Sequence, residues 1–597
     1  MGVDKEKRYK WAKIILVSVF IVLVVRLWYL QIIKGEEMRK LSEQNRIRIQ
    51  KIYAPRGVIY DRKGRILADT RPSFNVYIIP EDIRDFNQTV DGLAKILNID
   101  REEIVGKLRS AKDMPPSFPV KIKSDLTTDE VARVEAHKIY MPGVTIYVEP
   151  RRYYPYGELF AHLIGYVSEI SKDELKAYKD YSPGDYIGKY GLEKMYEQYL
   201  RGKDGERRIE VDAMGREIRV LETVEPTPGN NLYLNVDLDI QMAIDRILGT
   251  RSGGAVVLDV KTGGVIALVS KPAFDPNLIV SGIPGQEWTR LSLDKKHPLQ
   301  NRVIQGRYPP GSTFKLLVAL AGLEEGLINE RTSFLCKGGI LFGNRFFRCW
   351  KEKGHGVVSL HRAIVESCDV FFYNLGLKLG VDNIHRMSEI FGLTDIQGID
   401  LPGEKKGFVP STEWKYRTFK EKWYEGETLS VSIGQGAVWL TPLGLATLTA
   451  IIANNGVLYK PQIVSKIVSP DGKILKLFKP EERRKVKINP ENLTLVKKAM
   501  WGVVNEPGGT AFASRTNVCD MSGKTGTAQT ASSPRASKGD HAWFVAFAPY
   551  LDPQVAISVI VEYGGHGATS AAPIAKIILE EYFKEREKIR EARTHDR

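Results

Sequence analysis

Ser312 and Lys315 stand three residues apart in Tyr308-Pro309-Pro310-Gly311-Ser312-Thr313-Phe314-Lys315, ahead of the apolar run LLVALAGL. Three residues is close to one helical turn, so the two side chains share a face. A serine hydroxyl is a weak nucleophile until a base takes its proton, and a lysine takes it only where burial or neighbouring charge lowers its pKa. Pro-Pro-Gly makes a turn that sets Ser312 at a helix start, where the dipole favours developing negative charge. Further on, Ser367-Cys368-Asp369 supplies a second hydroxyl to relay a proton and a carboxylate to orient a lysine or a substrate amide. Lys524-Thr525-Gly526-Thr527 then sets a cation, two hydroxyls and a residue without a side chain on a strand pattern. That combination suits a carboxylate-bearing peptide laid alongside the strand. Taken singly, the first motif recurs by chance in long chains, the second reads as a helix cap and the third as a turn. Their order within one domain is what gives them specificity.

Such residues need a rigid frame, and the surrounding pattern predicts one. After the Pro/Gly/Asn-rich joint ETVEPTPGNN (222–231), DLDIQMAIDRIL reads as a capped amphipathic helix. GAVVLDV-KTGG-VIALVS (254–270) reads as two strands joined by a turn, and FVAFAPY (544–550) and QVAISVIVEY (554–563) as two more. A mostly helical stretch lies between these β regions, so the fold class is α+β, helices against one antiparallel sheet. The preceding segment is polar and irregular, with short β-like runs at 74–80 and 144–150 and no gathering of nucleophile, base and orienter. By itself it is a spacer or partner-binding module.

The chain of 597 residues carries 87 Lys+Arg against 72 Asp+Glu, net +15, a balance that suits nucleic acid, anionic membrane or an acidic polymer equally. Its start decides the compartment. Ile14–Ile33 is a run of twenty residues broken only by Arg26, the length of one membrane span. Lys5, Lys7, Arg8, Lys10 and Lys13 precede it and hold the N-terminus in the cytoplasm. Without small residues at a cleavage site the run reads as an uncleaved anchor rather than a removed signal peptide. The organisation is therefore a cytoplasmic start (1–13), a transmembrane anchor (14–33), a pedestal (34–226), a catalytic domain (227–590) and a charged tail (591–597). The catalytic domain lies outside the cytoplasm, anchored to the inner membrane by a single pass. GQGAVW (434–439) has a tryptophan where a dinucleotide fingerprint needs its third glycine. No aromatic-interleaved nucleic-acid module accompanies the basic charge.

The three motifs in this order are the set carried by penicillin-binding proteins and class A β-lactamases. The chain resembles the class B penicillin-binding proteins, the peptidoglycan D,D-transpeptidases, from about residue 50 to 565. RGVIYDRKGRILA (56–68), RRYYPYGELFAHLIGYV (151–167) and GLEKMYEQYLRGKDG (191–205) look like the family's pedestal motifs, and IGQG (433–436) and EPGGTA (506–511) are familiar in its catalytic domain. YPPGSTFK, the WKEKGHG stretch (350–356) and Asp369 in place of the usual asparagine look like the elongation-specific subgroup. The resemblance implies that Ser312 attacks the penultimate D-Ala of a stem peptide, with Lys315 as base and Ser367 as relay. Lys524, Thr525 and Thr527 would hold the terminal carboxylate, with Gly526 on the same strand, and the N–H groups of Ser312 and Thr527 would form the oxyanion hole. An acceptor amine would resolve the acyl-enzyme to a cross-link, and a β-lactam would acylate Ser312 and stay. It further implies no cofactor for catalysis, and as partners a membrane glycan polymerase of the RodA type and an MreC-like scaffold. A division-specific transpeptidase, a hydrolytic relative and a silent β-lactam-binding sensor or scaffold are the competing readings.

Cys336, Cys349, His355 and Cys368 fall within one short stretch as C-x12-C-x5-H-x12-C. This suits a closed Cys3His zinc site of the structural kind, bracing the second motif from behind. A Cys336–Cys349 disulfide, permitted outside the cytoplasm, or inert thiols are the alternatives. Cys519 reads as an unpaired core residue.

Overall fold

The computed structural model describes residues 3–36, 47–211, 217–529 and 539–595. A helix, Val3–Trp28, runs on through a π-helical turn, Tyr29–Ile33. Its 27 residues Lys7–Ile33 are long and apolar enough to cross a membrane, spanning about 40 Å at 1.5 Å per residue.

The chain folds into two compact units. One comprises Met1–Pro55, Arg71–Arg151 and Gly202–Pro228, the other Arg56–Thr70, Arg152–Arg201 and Gly229–Arg597. The last crossing falls in the Pro/Gly/Asn-rich joint, and two stretches that precede the joint, Arg56–Thr70 and Arg152–Arg201, pack with the residues that follow it. In the first unit Ile47–Ile52, Gly205–Val211 and Glu217–Val224 form an antiparallel sheet with Gly205–Val211 in the middle. Its core gathers Val76, Ile78, Leu93, Leu97, Ile104 and Val134. The helices there start at side-chain caps: Asp85 accepts from the Gln88 N–H, and Thr127 forms a capping box with Glu130. The β-like runs at 74–80 and 144–150 lie on strands Ile66–Ile78 and Val144–Tyr153.

The second unit is built on a five-stranded antiparallel sheet in the order Val265–Lys271, Gly253–Asp259, Val555–Val561, His541–Ala548, Ser522–Ala528. All but the edge strand Ser522–Ala528 read as largely apolar runs because both faces are covered. Ala255 and Val257 join the larger core, while the alternate residues Val256 and Leu258 join a second one. Helices Leu238–Leu248, Pro442–Ala453 and Ala572–His595 pack against it. The first begins at Asp237, whose carboxylate accepts the Asp239 N–H, and the last carries the tail as far as it is described.

The pedestal stretches of this unit are held by buried charge. Ile59–Tyr60 adds to the unit as a parallel neighbour of Asn231–Leu234. Arg56 donates to Glu193 at 2.7 Å and to Glu197 at 2.8 Å, and Arg152 donates to the other oxygen of Glu193 at 2.6 Å. The Arg152 and Glu193 side chains are fully buried. A second Arg152 nitrogen donates to the Gly57 carbonyl at 2.8 Å. Each of the three pedestal motifs thus contributes a charge. Removing one partner strands the others in a low-dielectric interior. Glu193→Ala is expected to lower stability by about 3–5 kcal/mol, read as a fall in the unfolding midpoint of the purified chain, with Glu193→Gln intermediate; an unchanged midpoint in Glu193→Ala would refute it.

Candidate active site

The stretch from Tyr308 to Phe314 is fixed before Ser312 is reached. Tyr308 pairs through its backbone with Leu440, and the indole N–H of Trp543 donates to the Pro309 carbonyl at 3.0 Å. Gly311 has φ +54°, and a Cβ there would lie 2.6 Å from the Thr527 carbonyl oxygen. Only glycine permits both the turn and that approach. Ser312 sits in a 3-10 turn, Gly311–Phe314, and the α-helix proper, Lys315–Glu324, starts three residues later than the sequence suggests. The hydroxyl of Ser312 is partly exposed and, among the described residues, has no hydrogen-bond partner.

Ser367 lies in the joint between helices Leu360–Val365 and Asp369–Leu379, with φ +55°, a conformation that costs a non-glycine residue about 1–3 kcal/mol. Asp369 occupies the first turn of its helix, where the dipole favours a carboxylate. Lys524 to Thr527 lie on the edge strand Ser522–Ala528. The Gly526 backbone faces the turn of Ser312, for a Cβ there would meet the Thr313 methyl at 2.9 Å and the Pro310 oxygen at 3.0 Å.

These segments converge on one hydroxyl. The Lys315 ammonium donates to Asp369 at 2.7 Å, to the Ser367 carbonyl at 3.0 Å and to the Ser367 hydroxyl at 3.3 Å. Lys524 reaches the same hydroxyl from the other side at 2.8 Å, and the Thr525 carbonyl at 3.2 Å. Both lysines are fully buried. Burial, and then the charge of Lys315, hold Lys524 well below the usual lysine range, against the opposing pull of Asp369. Lys524 turns inward to Ser367. Thr525 bonds hydroxyl to hydroxyl with Thr510 at 2.8 Å, and the Gln435 amide donates to the Thr527 carbonyl at 3.3 Å.

Three of these contacts come from residues that the motif reading did not single out. Thr510 and Gln435 sit in EPGGTA and IGQG, so the segments were visible but the residues in them were not. Trp350, in the WKEKGHG stretch, gives its backbone N–H to the second oxygen of Asp369 at 2.9 Å, a main-chain contact that no side-chain pattern encodes.

Cys336, Cys349, His355 and Cys368 are all buried, and their ligand atoms lie within 4.8 Å of one another. All four cysteines of the chain are free thiols, so there is no Cys336–Cys349 disulfide. His355 Nδ1 stands 3.5 Å from both the Cys336 and Cys349 sulfurs, and its Nε2 is 4.0 Å from Glu366. Hydrogen bonding from Cys368 lowers the Cys349 thiol toward thiolate and raises Cys368 in turn. Cys368 caps the helix that Asp369 begins, and Cys349 immediately precedes Trp350. Cys519 stands apart, half-buried against the large core, and burial pushes its thiol up to about 12.

The Ser-x-x-Lys and Lys-Thr-Gly segments that meet here belong to the motif set of the penicillin-binding proteins and class A β-lactamases. Residues 253–580 match the penicillin-binding protein transpeptidase domain, and residues 51–234 match the penicillin-binding protein dimerisation domain. The chain belongs to the class B penicillin-binding proteins, in which the second domain precedes the first. It is 38% identical to the peptidoglycan D,D-transpeptidase MrdA of Acinetobacter baumannii over 614 aligned positions, covering 98% of this chain and 89% of that protein. Among solved structures it is similar to the penicillin-binding protein PBP2 of Helicobacter pylori in complex with MreC, with a TM-score of 0.78 at 30% identity, covering 90% of this chain and 98% of that one. It is also similar to a chain of a peptidoglycan synthase complex that coordinates polymerisation and cross-linking, with a TM-score of 0.72 at 31% identity, covering 97% and 98%.

Proposed function

We propose that this protein is a serine-type peptidoglycan D,D-transpeptidase of cell-wall elongation, cross-linking stem peptides through an acyl-enzyme. The observation that carries the mechanism is the Ser367 hydroxyl held between two buried lysines, one of them ion-paired with Asp369 and the other not. Burial, and then the second ammonium group against a single carboxylate, hold Lys524 well below the usual lysine range and favour its neutral form. Lys315, one turn from Ser312, becomes a base once its own proton has passed through the Ser367 hydroxyl to Lys524. Ser312 Oγ then attacks the carbonyl of the penultimate D-Ala while its proton goes to Lys315. The tetrahedral oxyanion is held by the N–H groups of Ser312 and Thr527, each such donor contributing about 3–4 kcal/mol. The returning proton leaves with the terminal D-Ala amine, and an amine of a neighbouring strand repeats the sequence in reverse on the ester. Thr525, Gly526 and Thr527 line the place of the donor peptide, with Thr510 fixing the rotamer of Thr525.

The chain is anchored by Lys7–Ile33 with the catalytic unit outside the cytoplasm, where the polymer lies, and the pedestal of 34–226 precedes a catalytic domain of 227–590. The similarity to the MreC complex and to the synthase complex supports an MreC-like scaffold and a glycan polymerase of the RodA type as partners. The Cys3His cluster fits zinc: with bonds of about 2.3 Å, tetrahedral ligands stand about 3.8 Å apart, near the 3.5 Å found from His355 Nδ1 to two of the sulfurs. Bound there, the metal would be structural, tying Cys349 to Cys368 and so holding the Trp350 N–H against Asp369.

Fluorescent penicillin is expected to label the wild type covalently and to leave Ser312→Ala unlabelled; equal labelling of both would remove the nucleophile assignment. Because Lys524 must be neutral to take a proton, acylation is lost as pH falls through its lowered pKa. The acylation rate should therefore rise with pH and level off well below the ordinary lysine value of about 10.4, whereas a rise completed only near that value would contradict the relay. Elemental mass spectrometry of the purified chain is expected to find about one zinc per molecule, falling to background in Cys349→Ser and His355→Ala with slower acylation. Four titratable thiols in a metal-free wild type would withdraw the zinc.

A further inference from the structure

Within the larger unit a cavity of about 480 Å³ is lined by Arg62, Tyr233, Asn235, Thr262, Ser465 and Lys466, none of them part of the candidate active site or the cysteine cluster. Its walls are the turn between Ile59–Tyr60 and Ile66–Ile78, the strand Asn231–Leu234, the turn that follows Gly253–Asp259, and the strand Val464–Val468. Tyr60 and Tyr233 stack with centroids 4.8 Å apart and planes at 19°. The Lys466 ammonium stands 4.4 Å from the centre of the Tyr233 ring, which positions the charge without neutralising it.

The nearby carboxylates are already engaged. Asp61 accepts the N–H groups of Lys63 and Arg65 and the Arg65 guanidinium. Asp237 and Asp239 pair with Lys63 and Arg65. Asp259, itself on the cavity wall beside Thr262, closes its own turn by accepting the N–H groups of Lys261 and Thr262. The neutral groups are likewise occupied: the Asn235 amide donates to the Gln462 carbonyl, and the Ser465 hydroxyl to the Tyr233 carbonyl. Among the described residues this leaves Arg62 and Lys466 as two cations on one cavity without a carboxylate partner.

We propose that this cavity is a binding site for a carboxylate-bearing peptide, and that its ligand is an uncross-linked stem peptide of the wall polymer. The inference rests on the function proposed above, which places the domain in contact with that polymer. Arg62 offers a planar fork that fits a carboxylate with two parallel hydrogen bonds, and Lys466 adds a second point of positive charge. A lone anion is too small, since one water occupies only about 30 Å³ of liquid, so the charge must be borne on a larger molecule. A folded partner is too large, since a standard protein interface needs about 800 Å² on each side. A cavity within the usual range of about 300–1,000 Å³ takes a few residues of a peptide.

The test uses the detergent-solubilised full chain, first acylated with benzylpenicillin and checked by intact mass so that the active site is blocked. Anisotropy of a fluorescein-labelled Lys-D-Ala-D-Ala peptide should then show saturable binding. That binding should weaken at least tenfold in the Arg62→Ala/Lys466→Ala double variant and with added salt, and stay unchanged in Lys487→Ala. The proposal is overturned if the double variant binds as the wild type does, if no saturable binding occurs, or if the peptide binds equally well with an amidated C-terminus. Stronger competition by inorganic phosphate than by acetate overturns the carboxylate assignment. Failure of benzylpenicillin to acylate counts against the proposed transpeptidase instead, and the same titration on Ser312→Ala, which needs no acylation, then decides the cavity by the same criteria.

Discussion

The catalytic unit depends on a small buried charge cluster in which Lys315, Asp369 and Lys524 surround the Ser367 hydroxyl. Charges removed from water are tolerated only when each finds a partner or loses its charge. Here Asp369 satisfies Lys315, the Trp350 N–H and the helix start satisfy Asp369, and Lys524, held well below the usual lysine range by burial and by the charge of Lys315, bonds the Ser367 hydroxyl. That arrangement pairs one lysine with a carboxylate and favours the uncharged form of the other beside the Ser367 hydroxyl.

The rest of the unit can be read as the scaffold for that cluster. The edge of the sheet supplies Lys524 on a strand that cannot wander, because His541–Ala548 is hydrogen-bonded along its whole length. Missing side chains at Gly311 and Gly526 let the turn of Ser312 press against that strand. The strained backbone of Ser367 lies in the joint between helices Leu360–Val365 and Asp369–Leu379, next in the chain to Cys368 of the buried cluster. Strain of this kind persists only where the surroundings over-determine it.

The same logic recurs in the pedestal stretches that pack with the catalytic residues. Arg56, Arg152, Glu193 and Glu197 are drawn from three separate motifs and are useful to the fold only together. A buried ion pair of this kind adds little net stability over an apolar substitute, but it penalises every arrangement in which one member is missing. It specifies which stretches of chain must meet.

Local signals sufficed for much of this protein. The N-terminal apolar helix, the four strands predicted at 254–270 and 544–563, the capped helix after Asp237 and the three motifs are all encoded in contiguous residues, because spacing and apolar periodicity act over one element at a time. The cysteine and histidine set was visible as a cluster, but the sequence left disulfide, metal and inert thiols open, and only the folded arrangement leaves the thiols free and close together. Tertiary structure alone turned Lys524 inward to Ser367, set the Trp350 amide on Asp369, joined Thr510 to Thr525, and gave Arg56–Thr70 and Arg152–Arg201 to the catalytic unit. Lys524 and Ser367 are 157 positions apart, and Arg56 and Glu193 are 137. A sequence states which charges exist; which of them must share one dry space, and hence which keep their protons, is settled only when the core closes around them.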